Sequence, residues 1–208
     1  MINEKIAAIL EDKYAFFNHP RFIEHDPVQI PHRFSKLQDK EIMGFWVAIL
    51  AWGQRKTILQ NANTLIDLMD GAPYEFILQH KESDLKRFES FKHRTFQYPD
   101  TLYFIEFFRQ HYENNHSLES AFTKGLHSGD LTIENGLNGF HDYFFESEWA
   151  PERTRKHIAS PKKNSACKRI NMFLRWMVRK DEAGVDFGLW SSISAAQLVC
   201  PLDVHAMR

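Results

Sequence analysis

Lys168, Arg175 and Arg179 lie seven and then four residues apart, a spacing that puts all three on one meridian of an α-helix. Flanking cations favour the neutral form of a lysine, and a neutral amine can attack an electrophilic carbon and leave a Schiff base. The same three side chains suit phosphate contacts or a solvated face, and the spacing leaves these uses open.

The turn ahead of that helix, Ser160-Pro161-Lys162-Lys163-Asn164-Ser165, is short and basic. It joins a short helix expected over 151–158 to a helix expected over 165–180, a helix–turn–helix arrangement. Free backbone N–H groups at a helix start, together with lysines, accommodate a phosphate. Asn164 fits either a left-handed turn residue or an N-cap. Downstream, Asp203 follows Pro201 and precedes a helical run, which makes it an N-cap candidate, with His205 two residues on. The chain stops at Arg208, barely one turn into that run. Cys167 adjoins Lys168 and Arg169, whose charges are expected to lower its thiol pKa, but no base accompanies it. Eleven histidines are scattered, and His19, His25 and His32 lack metal-ligand spacing, so no metal site is expected.

Helical periodicity runs almost throughout. Helices are expected over 2–15, 39–52, 56–69, 74–80, 83–88, 100–113, 117–125 and 131–147. Gly53 would be a left-handed stop, and Ser128-Gly129-Asp130 a loop. In the 165–180 helix, Ala166, Ile170, Phe173, Leu174 and Met177 form the core-facing sector. No alternating β pattern or repeat intervenes, so the fold class is all-α, and the length suits one domain spanning 1–208, or one domain built of two helical lobes. A hydrophobic fraction of 43% with 18 Phe, 5 Trp and 6 Tyr implies an aromatic core.

The net charge of −1 hides an asymmetry. Residues 151–180 hold ten Lys/Arg against Glu152, or +9; the other 16 basic and 26 acidic residues carry −10. Such segregation points to a polyanion partner, against the plainer reading of a solvated basic helix. Two cysteines exclude a disulfide framework, a four-cysteine iron–sulfur cluster and a cysteine-built zinc site. No apolar run reaches membrane-spanning length and no secretory signal opens the chain, so a cytoplasmic protein without a cofactor is expected.

Four blocks carry a family resemblance: Ile49-Leu50-Ala51-Trp52-Gly53-Gln54-Arg55-Lys56, Phe91-Lys92-His93-Arg94-Thr95-Phe96, the stretch from Ala166 to Arg179, and Pro201-Leu202-Asp203-Val204-His205. They resemble, along essentially the whole chain, a bacterial conserved-hypothetical family known as domain of unknown function 2400. Members of that family continue for several helices past the last block, which implies a chain ending before its last helices. The family in turn is distantly similar to the helix-hairpin-helix DNA glycosylases, the endonuclease III and 8-oxoguanine glycosylase superfamily.

That resemblance implies a DNA-repair glycosylase, with or without abasic-site lyase activity, excising an oxidised or otherwise damaged base from duplex DNA. Lys168 resembles the Schiff-base lysine of archaeal 8-oxoguanine glycosylases, with Lys162 and Lys163 as runners-up, and Asp203 resembles the helix-capping aspartate beside the active site. Gln54 resembles the wedge glutamine of endonuclease III-like enzymes, and Trp52, Phe173 or Trp176 could line a base pocket. Arg55, Lys56, Lys162, Lys163, Asn164, Arg169, Arg175 and Arg179 are the implied DNA contacts, with His93, Arg94 and His205 supporting the site. The superfamily's hairpin glycines correspond here to Ser160 and Lys162. Two further readings stand beside this one: a nucleic-acid-binding protein on the same fold without chemistry, and a helical interaction protein whose basic segment pairs with its acidic remainder.

Overall fold

A computed structural model describes residues 4–202; the roles expected of Asp203 and His205 lie outside the described residues. The chain is all-helical: α1 (Glu4–Phe17), α2 (Pro20–Ile23), α3 (Gln29–His32), α4 (Leu37–Leu50), α5 (Arg55–Leu68), α6 (Pro73–Gln79), α7 (Tyr98–Asn114), α8 (Glu119–Thr123), α9 (Glu134–Phe144) and α10 (Lys168–Val178). Short 3-10 segments cover Glu82–Phe88 and Glu152–His157, where α-helices are expected from the sequence, and Pro161–Lys163. Extended pairing among the described residues is confined to one bridge, His93 to Phe96. No helix among them is long and apolar enough to cross a membrane.

From Glu41 to Leu50 every residue of α4 is buried, the mark of a helix at the centre of a fold. Its Phe45 ring meets Phe104, Phe108, Phe140, Phe144 and Phe173 at centroid distances of 5.3 to 6.4 Å. Each such buried ring contributes roughly 1.5–3 kcal/mol. α10 packs on the face of α4 that carries Gly44, where a Cβ would stand 3.0 Å from Met177 Cε. α8 and α9 touch backbone to backbone, since a Cβ on Gly136 would lie 2.7 Å from Phe122 O, and just past α8 a Cβ on Gly139 would lie 2.5 Å from Gly125 Cα. Among the described residues, the buried apolar side chains other than Val185 form one connected cluster.

α1 adds nothing to that cluster: its Ile6, Ile9 and Leu10, at helical spacing, are all more than half exposed. α4 ends at Leu50, three residues before Gly53, whose left-handed φ of +105° turns the chain into α5. The helix expected over 131–147 is trimmed at both ends to Glu134–Phe144. The one expected over 165–180 begins only at Lys168, because Cys167 is itself left-handed (φ +49°). Ala166 therefore leaves the core-facing sector and is exposed, while Cys167 is buried.

Candidate functional site

The basic turn is built as a rigid bracket. Asn164 takes the left-handed conformation (φ +56°) and makes no capping bond to α10, so the turn role is the one realised. Three residues later Cys167 repeats that conformation, leaving Ser165 and Ala166 between two left-handed corners. The turn is fastened to α9. Asn138 Oδ1 accepts from Ser160 Oγ at 2.8 Å and from Lys162 N–H at 3.1 Å, and Lys162 Nζ lies 2.7 Å from Asp142 Oδ2.

The bracket, the first turn of α10, His157 and Leu202 surround a cavity of about 470 Å³. Lys168, exposed, stands on its wall. The Cys167 thiol lies there too, but burial pushes its pKa up, the reverse of the lowering expected from its cationic neighbours, and outweighs its hydrogen bond with Ser165. Asn164 and Arg169 share the same wall.

Arg169 is not a solvent-facing cation. Its guanidinium donates to the carbonyls of Ile49, at the end of α4, and of His157. Burial draws its pKa below the ordinary value. It therefore ties the end of the central helix to the 3-10 segment 152–157. Arg169 also lies 5.9 Å from the Trp52 ring centroid, and Arg94 lies 4.7 Å from it. His93 is buried beneath: its Nε2 is 3.0 Å from Trp52 O and its Nδ1 is 2.8 Å from Asn61 Nδ2. Burial lowers its pKa, so the ring is neutral at pH 7. Within the 93–95 block, His93 belongs to a buried polar network and Arg94 lies on the surface.

The expected cationic face is largely answered from within the protein. Arg175 Nε and Arg179 Nε reach Asp186 Oδ2 at 3.0 and 2.6 Å, and Arg179 also pairs with Asp181 at 3.1 Å. Asp186 is buried, and burial raises its pKa against the pull of both arginines. Arg155 pairs with Glu152. Arg153 pairs with the buried Asp100 at 3.1 Å. Asp100 also accepts from Thr154 Oγ1 at 2.7 Å and Gln97 N–H at 2.8 Å, with His157 Nε2 3.6 Å away. Burial alone would raise the Asp100 carboxyl, but these donors hold it down at about 2. Five cations of the 151–180 segment are thus held by carboxylates of the described residues.

The structure therefore gathers Asn164, Lys168 and Arg169 at one cavity, and Trp52, His93, Arg94 and Arg169 at one cluster. Gln54, Arg55 and Lys56 open α5, all exposed, with Arg55 acting electrostatically on Asp26. Lys163 is exposed on the turn. Sequence reasoning missed Glu41, Asp100 and Asp186, the buried acids that position these cations or the core around them. For Asp100 a signal existed, a Gln97/Asp100 capping pair around Pro99 at the start of α7.

A family model described as protein of unknown function (DUF2400) matches residues 26–208. No curated protein and no solved structure matches the chain.

Proposed function

As a chain that belongs to the DUF2400 family, this protein is, we propose, a DNA-repair N-glycosylase of the helix-hairpin-helix type with abasic-site lyase activity. The observation that carries the reading is the placement of Lys168. The lysine with nucleophile spacing stands on the wall of a cavity of about 470 Å³, immediately after a fixed basic turn. Such a cavity admits a base rotated out of the duplex, a step that costs a few kcal/mol and is cheapest for a damaged pair.

In this reaction the Lys168 amine attacks the sugar C1′ as the C1′–N bond breaks, and the base leaves with the bonding electrons and is protonated. One proton passes from the nitrogen to the ring oxygen as the C1′–O4′ bond breaks, which leaves a protonated imine. Loss of a C2′ proton, acidified by that imine, then expels the 3′ phosphate by β-elimination. Asp203 is the carboxylate assigned to the cationic sugar. Gln54 is the wedge, and Lys56 and Lys163 take backbone phosphates. Arg169, Arg175 and Arg179 brace the fold rather than serve as DNA contacts, since acceptors of the protein already engage them.

The test is to incubate the protein with duplexes carrying oxidised bases in the presence of borohydride. The expected result is a covalent adduct that Lys168→Gln abolishes at unchanged thermal stability. No adduct on any lesion, or an adduct that survives the substitution, sinks the assignment of Lys168.

A further inference from the structure

We propose that the guanidinium of Arg94, seated on the Trp52 indole, is a built contact for one backbone phosphate of duplex DNA. This rests on the nucleic-acid reading above but not on Lys168 chemistry. Three independent features of the chain place that one group.

The first is backbone strain. Arg94 and Thr95 are the two tip residues of a tight turn closed by reciprocal bonds, His93 N–H to Phe96 O at 2.8 Å and Phe96 N–H to His93 O at 2.9 Å. Arg94 sits at φ +56°, a position where such turns take Gly, Asn or Asp. A bulky cation held in left-handed backbone is a cost that the fold carries, and strain of that kind collects at ligand contacts. The second feature is the anchor. Buried His93 fixes the turn to the α4–α5 connection through Trp52 O and to α5 through Asn61. Arg153 Nη2 holds Thr95 O from the other side at 3.0 Å. The tip is therefore fixed relative to Gln54 and the start of α5. The third is Gly53, where a Cβ would stand 3.0 Å from Arg94 Nη1. A side chain there would push the guanidinium from its seat.

What the group lacks is an acceptor. Among the described residues no carboxylate or carbonyl engages the Arg94 guanidinium, which rests on the indole alone. Arg153, Arg155, Arg175 and Arg179 all have carboxylate partners. A guanidinium lying over a ring still presents its planar N–H edge, the fork that matches a phosphate. Lys92, directly before the turn, is exposed, as are Gln54 and Lys56, which follow the Gly53 that the guanidinium lies against. The surface therefore offers a phosphate chain more than one position, as duplex backbone requires and a free anion does not.

Arg94→Gly separates a contact from a structural role, because it removes the guanidinium and the backbone strain together. Binding is read by fluorescence anisotropy on an undamaged labelled duplex between about 50 and 200 mM salt, where phosphate contacts dominate. The expected variant melts at or above the wild-type temperature and binds about fivefold more weakly. Its slope of log K against log salt is shallower by about 0.9, one phosphate. An unchanged affinity and slope overturns the proposal, and so does a weaker affinity accompanied by a lower melting temperature. Inorganic phosphate is the second probe: if it raises the wild-type melting temperature through Arg94 while the duplex fails to bind, the duplex assignment is wrong. A wild-type protein that binds no duplex removes the nucleic-acid reading as well. Duplex binding that ignores Arg94 removes only this contact.

Discussion

Trp190 donates its indole N–H to the Glu41 carboxylate over 2.6 Å, joining the segment after α10 to the centre of α4. Glu41 also accepts from Tyr112 Oη at 2.9 Å, Ser117 Oγ at 2.5 Å and Leu118 N–H at 3.0 Å. One buried acid thus receives four donors from three separate stretches of chain. Glu41→Gln keeps the shape but turns one acceptor into an amide that faces donors. A loss of about 2–4 kcal/mol is expected, because buried donors are left unsatisfied. Denaturant unfolding checks it, and a variant within about 0.5 kcal/mol of wild type would mean that Glu41 is a passenger.

Acid should weaken the fold through Asp100. Its carboxyl is held at about 2 against an ordinary 3.8. Its folded pKa lies below the unfolded one, so its stabilisation is complete above 3.8 and is lost as pH falls toward 2. The amount at stake is about 2 kcal/mol. Glu41 acts in the opposite sense: burial raises its carboxyl from 4.5, so stability falls as pH climbs from 4.5 through that raised value. Thermal melts against pH should show Asp100→Asn losing the acid limb and Glu41→Gln losing the decline above 4.5. An acid limb that persists in Asp100→Asn assigns it to other carboxylates.

Releasing Arg175 should trade stability for charge. Asp186→Asn removes the buried carboxylate on which Arg175 and Arg179 converge. It should destabilise by about 3 kcal/mol, since Arg175 loses its carboxylate and Arg179 keeps only Asp181. At low salt the freed Arg175 should tighten duplex binding, with a steeper salt slope. Melting and anisotropy on the same preparation read both; tighter binding without destabilisation would contradict the pairing seen here.

Helix type and placement were readable wherever apolar spacing alone decides the outcome. α4 and α5 and the inward set Ile170, Phe173, Leu174 and Met177 follow from period and composition. Charge was less readable, because a count of cations carries no information about their partners. Asp186 sits in the irregular stretch after α10, where no period marks a residue as buried, and nothing local announces that two arginines of α10 reach it. The helix start at Lys168 was missed for a related reason. A left-handed cysteine is a rare backbone choice that the wheel of 165–180 cannot show, and it alone removes Ala166 from the core. Within the candidate site, Lys168, Asn164 and Trp52 were foreseeable by type and position, whereas Arg169 as a backbone brace depends on the end of a helix 120 residues away.

The contact between Gly125 and Gly139 has a mechanical consequence for the cavity. A joint made of two backbones has no side chains to repack, so α8 and α9 cannot slide past one another by changing rotamers. Because Asn138 and Asp142 fasten the 160–163 turn to α9, that turn rides on the helix pair as part of one stiff body. A visiting strand would meet a ready-made edge, and the accommodation would fall to the strand.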